Sequence, residues 1–95
     1  MKLPKSLNVF GKKIKIKVSD IGEGYDGLFY PKENLIVISL TASDVDHVLL
    51  HEFLHAVLER CSLTQVVSYP SEEVLIDMVT KCLLENFDIK PKLKT

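Results

Sequence analysis

Three residues of one short stretch, His51, Glu52 and His55, carry side chains whose types and spacing are suited to metal chemistry. On a helix, residues four apart project from the same face one turn apart, so the two imidazoles can converge on one ion. Imidazole nitrogens bind zinc at about 2.0–2.1 Å. Glu52 points about 100° around the helix from His51, so its carboxylate flanks the ion instead of binding it. The stretch therefore predicts a zinc centre with a base placed to take a proton from water.

The spacing of these residues is HExxH, the motif of zinc metallopeptidases. A motif with three fixed positions also arises by chance, and the ordinary alternative is two hydrogen-bonded histidines near the surface. The neighbouring residues favour the metal interpretation. The helix is otherwise apolar, and burying two histidines and a glutamate on it costs free energy unless these side chains bind a partner such as a metal ion.

A catalytic zinc needs a third protein ligand and an open position. His47 precedes His51 by one turn, but residues 47, 51 and 55 span about 12 Å along the helix axis and cannot surround one tetrahedral ion. Cys61 occupies the third-ligand position of the longer motif HExxHxxGxxH, yet Leu58 stands where that motif needs glycine. On a continuing helix Cys61 faces away from His55. A third candidate is the acidic start of a second helix at Glu72 and Glu73.

The elements that position these residues follow from local patterns. Residues 14–18 alternate apolar and lysine side chains, which predicts a half-buried strand. Residues 28–30 and the strand from Leu35 to Leu40 flank a Pro31–Asn34 turn, which predicts a hairpin. A helix is predicted from Val45 to about Cys61 with Ser43 as its N-cap, and another from Ser71, as N-cap, to about Asn86. The second helix is expected to bury an apolar face comprising Val74, Leu75, Met78, Val79, Cys82 and Leu83.

The order of these elements predicts an α+β domain with a small antiparallel or mixed sheet of about three strands packed on two main helices. At 95 residues with 46% apolar residues, the chain has room for a single domain over 1–95, with its core at about 14–89. Phe87 and Ile89 are expected to fold back onto the core. The ends, rich in lysine, are expected to be frayed.

Composition excludes several classes of protein. Residues 18–89 hold all 13 acids against three basic residues, while the basic ends offer lysines without the arginines or interleaved aromatics that read bases. Nucleic-acid binding is therefore unlikely as the function. No apolar run approaches the roughly 20 residues of a membrane span, and no signal-peptide pattern follows the N-terminus. Cys61 and Cys82 are interpreted as buried free thiols, which places the protein in the cytoplasm.

Beyond the motif, residues 25–87 resemble the small phage-type and ImmA/IrrE-like metallopeptidases, which are minimal gluzincins with a zincin-like core, and more distantly the SprT-like proteases. The resemblance lies in the strand residues 27–30 and 36–38, in the stretch 49–55 and in the acidic second helix. In thermolysin-like gluzincins the third ligand is a glutamate about twenty residues beyond the second histidine, and an aspartate four residues later bonds the first histidine. The resemblance thus implies Glu73 as third ligand and Asp77 as the partner of His51. Glu72 is interpreted as a charge near the helix dipole.

The resulting hypothesis is a zinc-dependent metallopeptidase in which Glu52 acts as general base on a zinc-activated water. An extended peptide or protein substrate is expected beside the strand from Leu35 to Leu40, taken as an edge strand. Tyr69 is the first candidate for an oxyanion donor, with Tyr30 and His47 as alternatives. The alternative function is a catalytically weak, zinc-stabilised binding module, phage-encoded and acting with a partner protein. The sequence leaves the oligomeric state open.

Overall fold

The computed structural model describes residues 3–62 and 68–92, with the backbone alone at Tyr69. It confirms the α+β class. In the part of the chain that the structure describes, four strands and two helices follow one another in the order β1 Ser6–Val9, β2 Lys12–Ser19, β3 Gly27–Tyr30, β4 Leu35–Ser39, α1 Val45–Arg60 and α2 Tyr69–Asn86. Neither helix is both long and apolar enough to span a membrane within the described ranges.

The strands form one mixed sheet in the spatial order β1-β2-β4-β3. β1 pairs with β2 and β3 with β4 in antiparallel fashion, whereas β2 and β4 run parallel. Strand β1 is missing from the sequence prediction because its four residues alternate only two apolar side chains with serine and asparagine, which favour turns. It is joined to β2 by Phe10 and Gly11, both at positive φ, which is the two-residue turn that matches the twist of a hairpin.

Strand β4 is central, so the prediction that residues 35–40 form an edge strand is wrong. β4 lies between β2 and β3, and its residues Ile36 to Ser39 are all buried. An unbroken apolar run is typical of a strand covered on both faces, whereas a half-exposed strand alternates. The edge strand on this side of the sheet is β3, whose outer edge pairs with no strand in the described part of the chain.

Helix α1 covers one face of the sheet. The core contains apolar side chains from the strands and from the helix: Val9, Ile14, Ile36, Ile38, Val48, Leu49 and Ala56. The helix begins at Val45 as predicted, but the prediction of Ser43 as its N-cap is wrong: Asp44 is the cap, and its side chain accepts a hydrogen bond from the backbone N–H of His47 at 3.1 Å. A carboxylate there also faces the positive end of the helix dipole.

Strand β3 approaches α1 closely at Gly27. A Cβ atom added to Gly27 would lie 2.5 Å from Cγ1 of Val48 and 3.1 Å from Cγ of Glu52. The first distance is below any real carbon–carbon contact, and Val48 is a buried β-branched residue with little freedom to move. Glycine at this position therefore lets the edge strand lie directly against the helix segment that carries Glu52.

Helix α2 packs mainly against α1, with a different face from the one predicted. Its N-cap is Ser68 and Pro70 lies in its first turn, so the prediction of Ser71 as N-cap is wrong. Glu72, Ile76 and Thr80 of α2 are buried, whereas Val74, Leu75, Met78 and Val79 are exposed. A pattern of apolar residues defines one face of a helix, but it does not show which element that face packs against. In this structure, α2 places its carboxylates against the histidines of α1.

Two further predictions about burial need correction. Cys61 and Cys82 are free thiols, as expected, but both are exposed. Phe87 is 62% exposed and does not return to the core. Ile89 is half-buried and lines an apolar groove of about 200 Å³ together with Leu7 and Leu49, on a different surface from the histidines.

Candidate metal centre

The two motif histidines present their Nε2 atoms to one carboxylate oxygen. His51 and His55 lie one turn apart on α1, with ring centroids 5.0 Å apart and ring planes inclined at 66° to each other. Nε2 of His51 lies 3.5 Å from Oε1 of Glu73, and Nε2 of His55 is paired with the same oxygen. The predicted third ligand therefore lies between the two histidines across the α1–α2 contact.

Donor atoms of His51, His55 and Glu73 all lie within 4.8 Å of one another. Zinc–nitrogen and zinc–oxygen bonds of about 2.0–2.2 Å require donors somewhat closer than this limit, which small side-chain rotations supply. Two imidazoles and one carboxylate are a donor set found at catalytic zinc, where a fourth position stays open. We call these three residues the inner set, and their chemistry fits a zinc ion.

Glu72 has a role that the sequence interpretation missed. Its Oε1 lies 2.7 Å from Nδ1 of His55, and both side chains are buried. An imidazole bonded at Nδ1 to a carboxylate carries its proton there, which leaves Nε2 free to bind a metal. Glu72 and Glu73 are neighbours on a helix, so they reach the two nitrogens of the same ring. The sequence does contain a clue to this role, because two adjacent acids, Glu72 and Glu73, begin the helix that follows the two motif histidines. The interpretation of Glu72 as a charge near the helix dipole overlooks it.

We expect Glu72→Gln to weaken zinc binding about 10- to 100-fold, the usual effect of losing a residue that orients a metal-bound histidine. The amide keeps the size of the side chain but supplies no charge to hold the proton on Nδ1 of His55. Competition with a chelator of known affinity measures the change. Glu85→Gln, an exposed position on the same helix, serves as control. Equal affinities of the two variants would contradict the orienting role.

Asp77 pairs with His47 and Lys81, and not with His51 as predicted. Its Oδ1 lies 3.7 Å from Nε2 of His47 and its Oδ2 lies 3.0 Å from Nζ of Lys81. The Lys81 hydrogen bond is the main cause that lowers the pKa of Asp77. The structure thus brings His47 into the cluster and places the predicted bond from Asp77 on it instead of on His51.

Glu52 packs against β3 at Gly27 and lies beside the inner set, close to His55 and Glu73. It lies in a cleft of about 570 Å³ that is also lined by His55, Glu73 and the strand residues Gly27 and Phe29. Burial raises the pKa of the Glu52 carboxyl to about 7, against the opposing effect of His55. A carboxylate whose pKa lies near neutral pH suits a group that must both accept and release a proton.

The structure describes the side chains of two of the three candidates for an oxyanion donor. The side chain of Tyr69 lies outside the described residues, so the prediction that it donates stays a prediction. Tyr30 is 38% exposed on β3, and His47 is paired with Asp77. Tyr25, which sequence reasoning did not single out, lines the cleft beside Gly24 and Gly27. The alternative ligand Cys61 belongs to no group of possible metal donors in the described residues.

No family model, curated protein or solved structure matches the chain. The family resemblance therefore stays a prediction, and the proposal for function rests on the site alone.

Proposed function

We propose that the chain is a zinc-dependent metallopeptidase that hydrolyses peptide bonds in a cleft between α1, α2 and β3. The observation that supports this best is the convergence of His51, His55 and Glu73 beside the buried carboxylate of Glu52. A site that only held a metal for stability would need no such base.

Each residue of the cleft has a task in this proposal. Zinc, when bound, lowers the pKa of water and polarises a carbonyl group. Glu52 takes the proton of the attacking water and delivers it to the leaving amine nitrogen. Glu72 holds the proton of His55 on Nδ1, so that Nε2 of the ring faces the inner set.

The substrate in this proposal is an extended peptide that pairs with the outer edge of β3. Gly27, Leu28 and Phe29 line the cleft together with Glu52 and His55, so a strand added at this edge would pass the base. Backbone hydrogen bonds to an edge strand bind peptides with little dependence on sequence. We also infer a reducing, cytoplasmic location, because both cysteines are free and exposed.

A second candidate function is a zinc-stabilised binding module that acts with a partner protein. It is favoured by the way α2 attaches to the domain, since the contact with α1 includes histidine–carboxylate pairs that a metal would reinforce. The phage-type resemblance is compatible with either function.

The test is to purify the chain, count its metal and assay it with a mixture of unstructured peptides. A peptidase should carry about one zinc per chain, as an inner set with one open position implies. Removing the zinc with a chelator should stop hydrolysis, and adding zinc should restore it. A binding module would instead show zinc-dependent thermal stability without hydrolysis. A chain purified without zinc that takes none up would contradict both functions.

A further inference from the structure

The contacts between α1 and α2 repeat one turn away from the inner set. The two helices run antiparallel, so moving back four residues on α1, from His51 to His47, corresponds to moving on four residues on α2, from Glu73 to Asp77. Nε2 of His47 lies 3.7 Å from Oδ1 of Asp77, and the His47 and His51 rings are stacked with centroids 6.3 Å apart. The arrangement of two histidines and one carboxylate is thus present twice.

Donor atoms of His47, His51 and Asp77 also lie within 4.8 Å of one another. We propose that these three residues, the outer set, form a second binding position for a divalent transition metal such as zinc. The outer set offers the same donor types as the inner set, and imidazole with carboxylate suits zinc. Because His51 belongs to both sets, an ion at one position competes with an ion at the other for its imidazole.

The surroundings of the outer set favour cations. It lines a cavity of about 280 Å³ together with three further carboxylates, those of Asp26, Glu52 and Glu73. Concave sites lined by one sign of charge concentrate ions of the opposite sign.

The outer position should be the weaker of the two. The side chain of His47 is 25% exposed, whereas that of its inner counterpart His55 is 10% exposed. The two carboxylates, Asp77 and Glu73, are equally open to solvent at 42% and 40%. Nζ of Lys81, 3.0 Å from Oδ2 of Asp77, already supplies a cation to that carboxylate. Among the described residues, neither His47 nor Asp77 has a buried partner comparable to Glu72 to fix its orientation.

The experiment is equilibrium dialysis against Zn²⁺ with elemental analysis, on variants shown by circular dichroism to be folded. Glu73→Gln removes an inner ligand and spares the outer set, so this chain should keep a weak site. Adding Asp77→Asn should lower that residual affinity roughly tenfold or more, as expected for a residue that holds a metal. Adding Lys81→Met to Glu73→Gln, with Asp77 intact, should raise the residual zinc affinity, because Asp77 then no longer pairs with the lysine ammonium. His55→Ala, which removes a different inner ligand, should show the same dependence on Asp77.

The controls separate this inference from the proposed function. Glu85→Gln, at an exposed position of α2, should leave every affinity unchanged. Two results would show that the outer position does not exist: no residual zinc binding in Glu73→Gln and His55→Ala, or residual binding that Asp77→Asn and His47→Ala leave unchanged. Neither result would affect the peptidase proposal. If the first zinc of the wild type is lost in His47→Ala and kept in His55→Ala, the outer set binds metal and the inner assignment is overturned.

Discussion

Replacing Glu52 by glutamine should reduce peptide hydrolysis by about 10²- to 10⁴-fold, the usual contribution of a general base, while the zinc content stays that of the wild type. Glu52 lies outside the inner set, so the amide leaves the three metal donors in place. It fills the same volume against Gly27 and Val48 but accepts no proton. Hydrolysis of a fluorogenic peptide and elemental analysis of the same preparation measure both quantities.

Protein stability provides the control for this variant. The pKa of Glu52 is raised from 4.5 to about 7 by burial, so the folded chain holds that proton more tightly than the unfolded chain does. Its contribution to stability is therefore present at low pH and is lost as pH rises through this window. Glutamine has no such loss, so Glu52→Gln should unfold at no lower temperature than wild type at pH 8. Glu33→Gln, in the exposed β3–β4 turn, should keep wild-type activity. Wild-type hydrolysis by Glu52→Gln would exclude the general-base mechanism.

Replacing His55 by alanine should remove the tightly bound zinc and destabilise the fold, because this ring contacts both carboxylates that start α2. Its loss takes a donor from the inner set and leaves the buried carboxylate of Glu72 without its partner. Breaking a buried pair by removing one member costs about 3–5 kcal/mol in the free energy of unfolding. Urea unfolding of zinc-free protein measures the cost, and elemental analysis of the native protein measures the metal.

A double variant separates the two effects of His55. Adding Glu72→Leu to His55→Ala removes the stranded carboxylate and should recover much of the lost stability, while zinc binding stays weak. Full zinc occupancy in His55→Ala would exclude the inner set as the metal site. Unchanged urea stability would show that the buried pair with Glu72 contributes nothing.

The parts of this molecule that sequence alone predicted are those with local causes. HExxH on an apolar helix located His51, Glu52 and His55 because i and i+4 residues share a face on any helix. The resemblance also led to Glu73, which the structure places at the two histidines. The hairpin and both helices followed from turn residues and periodicity.

The parts that were missed depend on how elements meet. Whether the apolar run from Leu35 to Ile38 is central or at an edge depends on β2, which is distant in sequence from β4 and pairs with it only in the folded sheet. The face of α2 that docks carries Glu72, which pairs with His55, together with the buried Ile76 and Thr80, while Val74 and Met78 are exposed. The same docking brings Asp77 to His47, four residues from its assigned partner.

The attachment of α2 has a consequence for cooperativity. Because α2 rests mainly on α1 and exposes most of its apolar side, it can detach without opening the sheet. Amide hydrogens of α2 should then exchange with solvent through a partial opening, ahead of those of β2 and β4, which exchange only on global unfolding. An ion held between the helices favours states in which both are docked. Metal occupancy would thus decide whether the chain unfolds in two steps or in one.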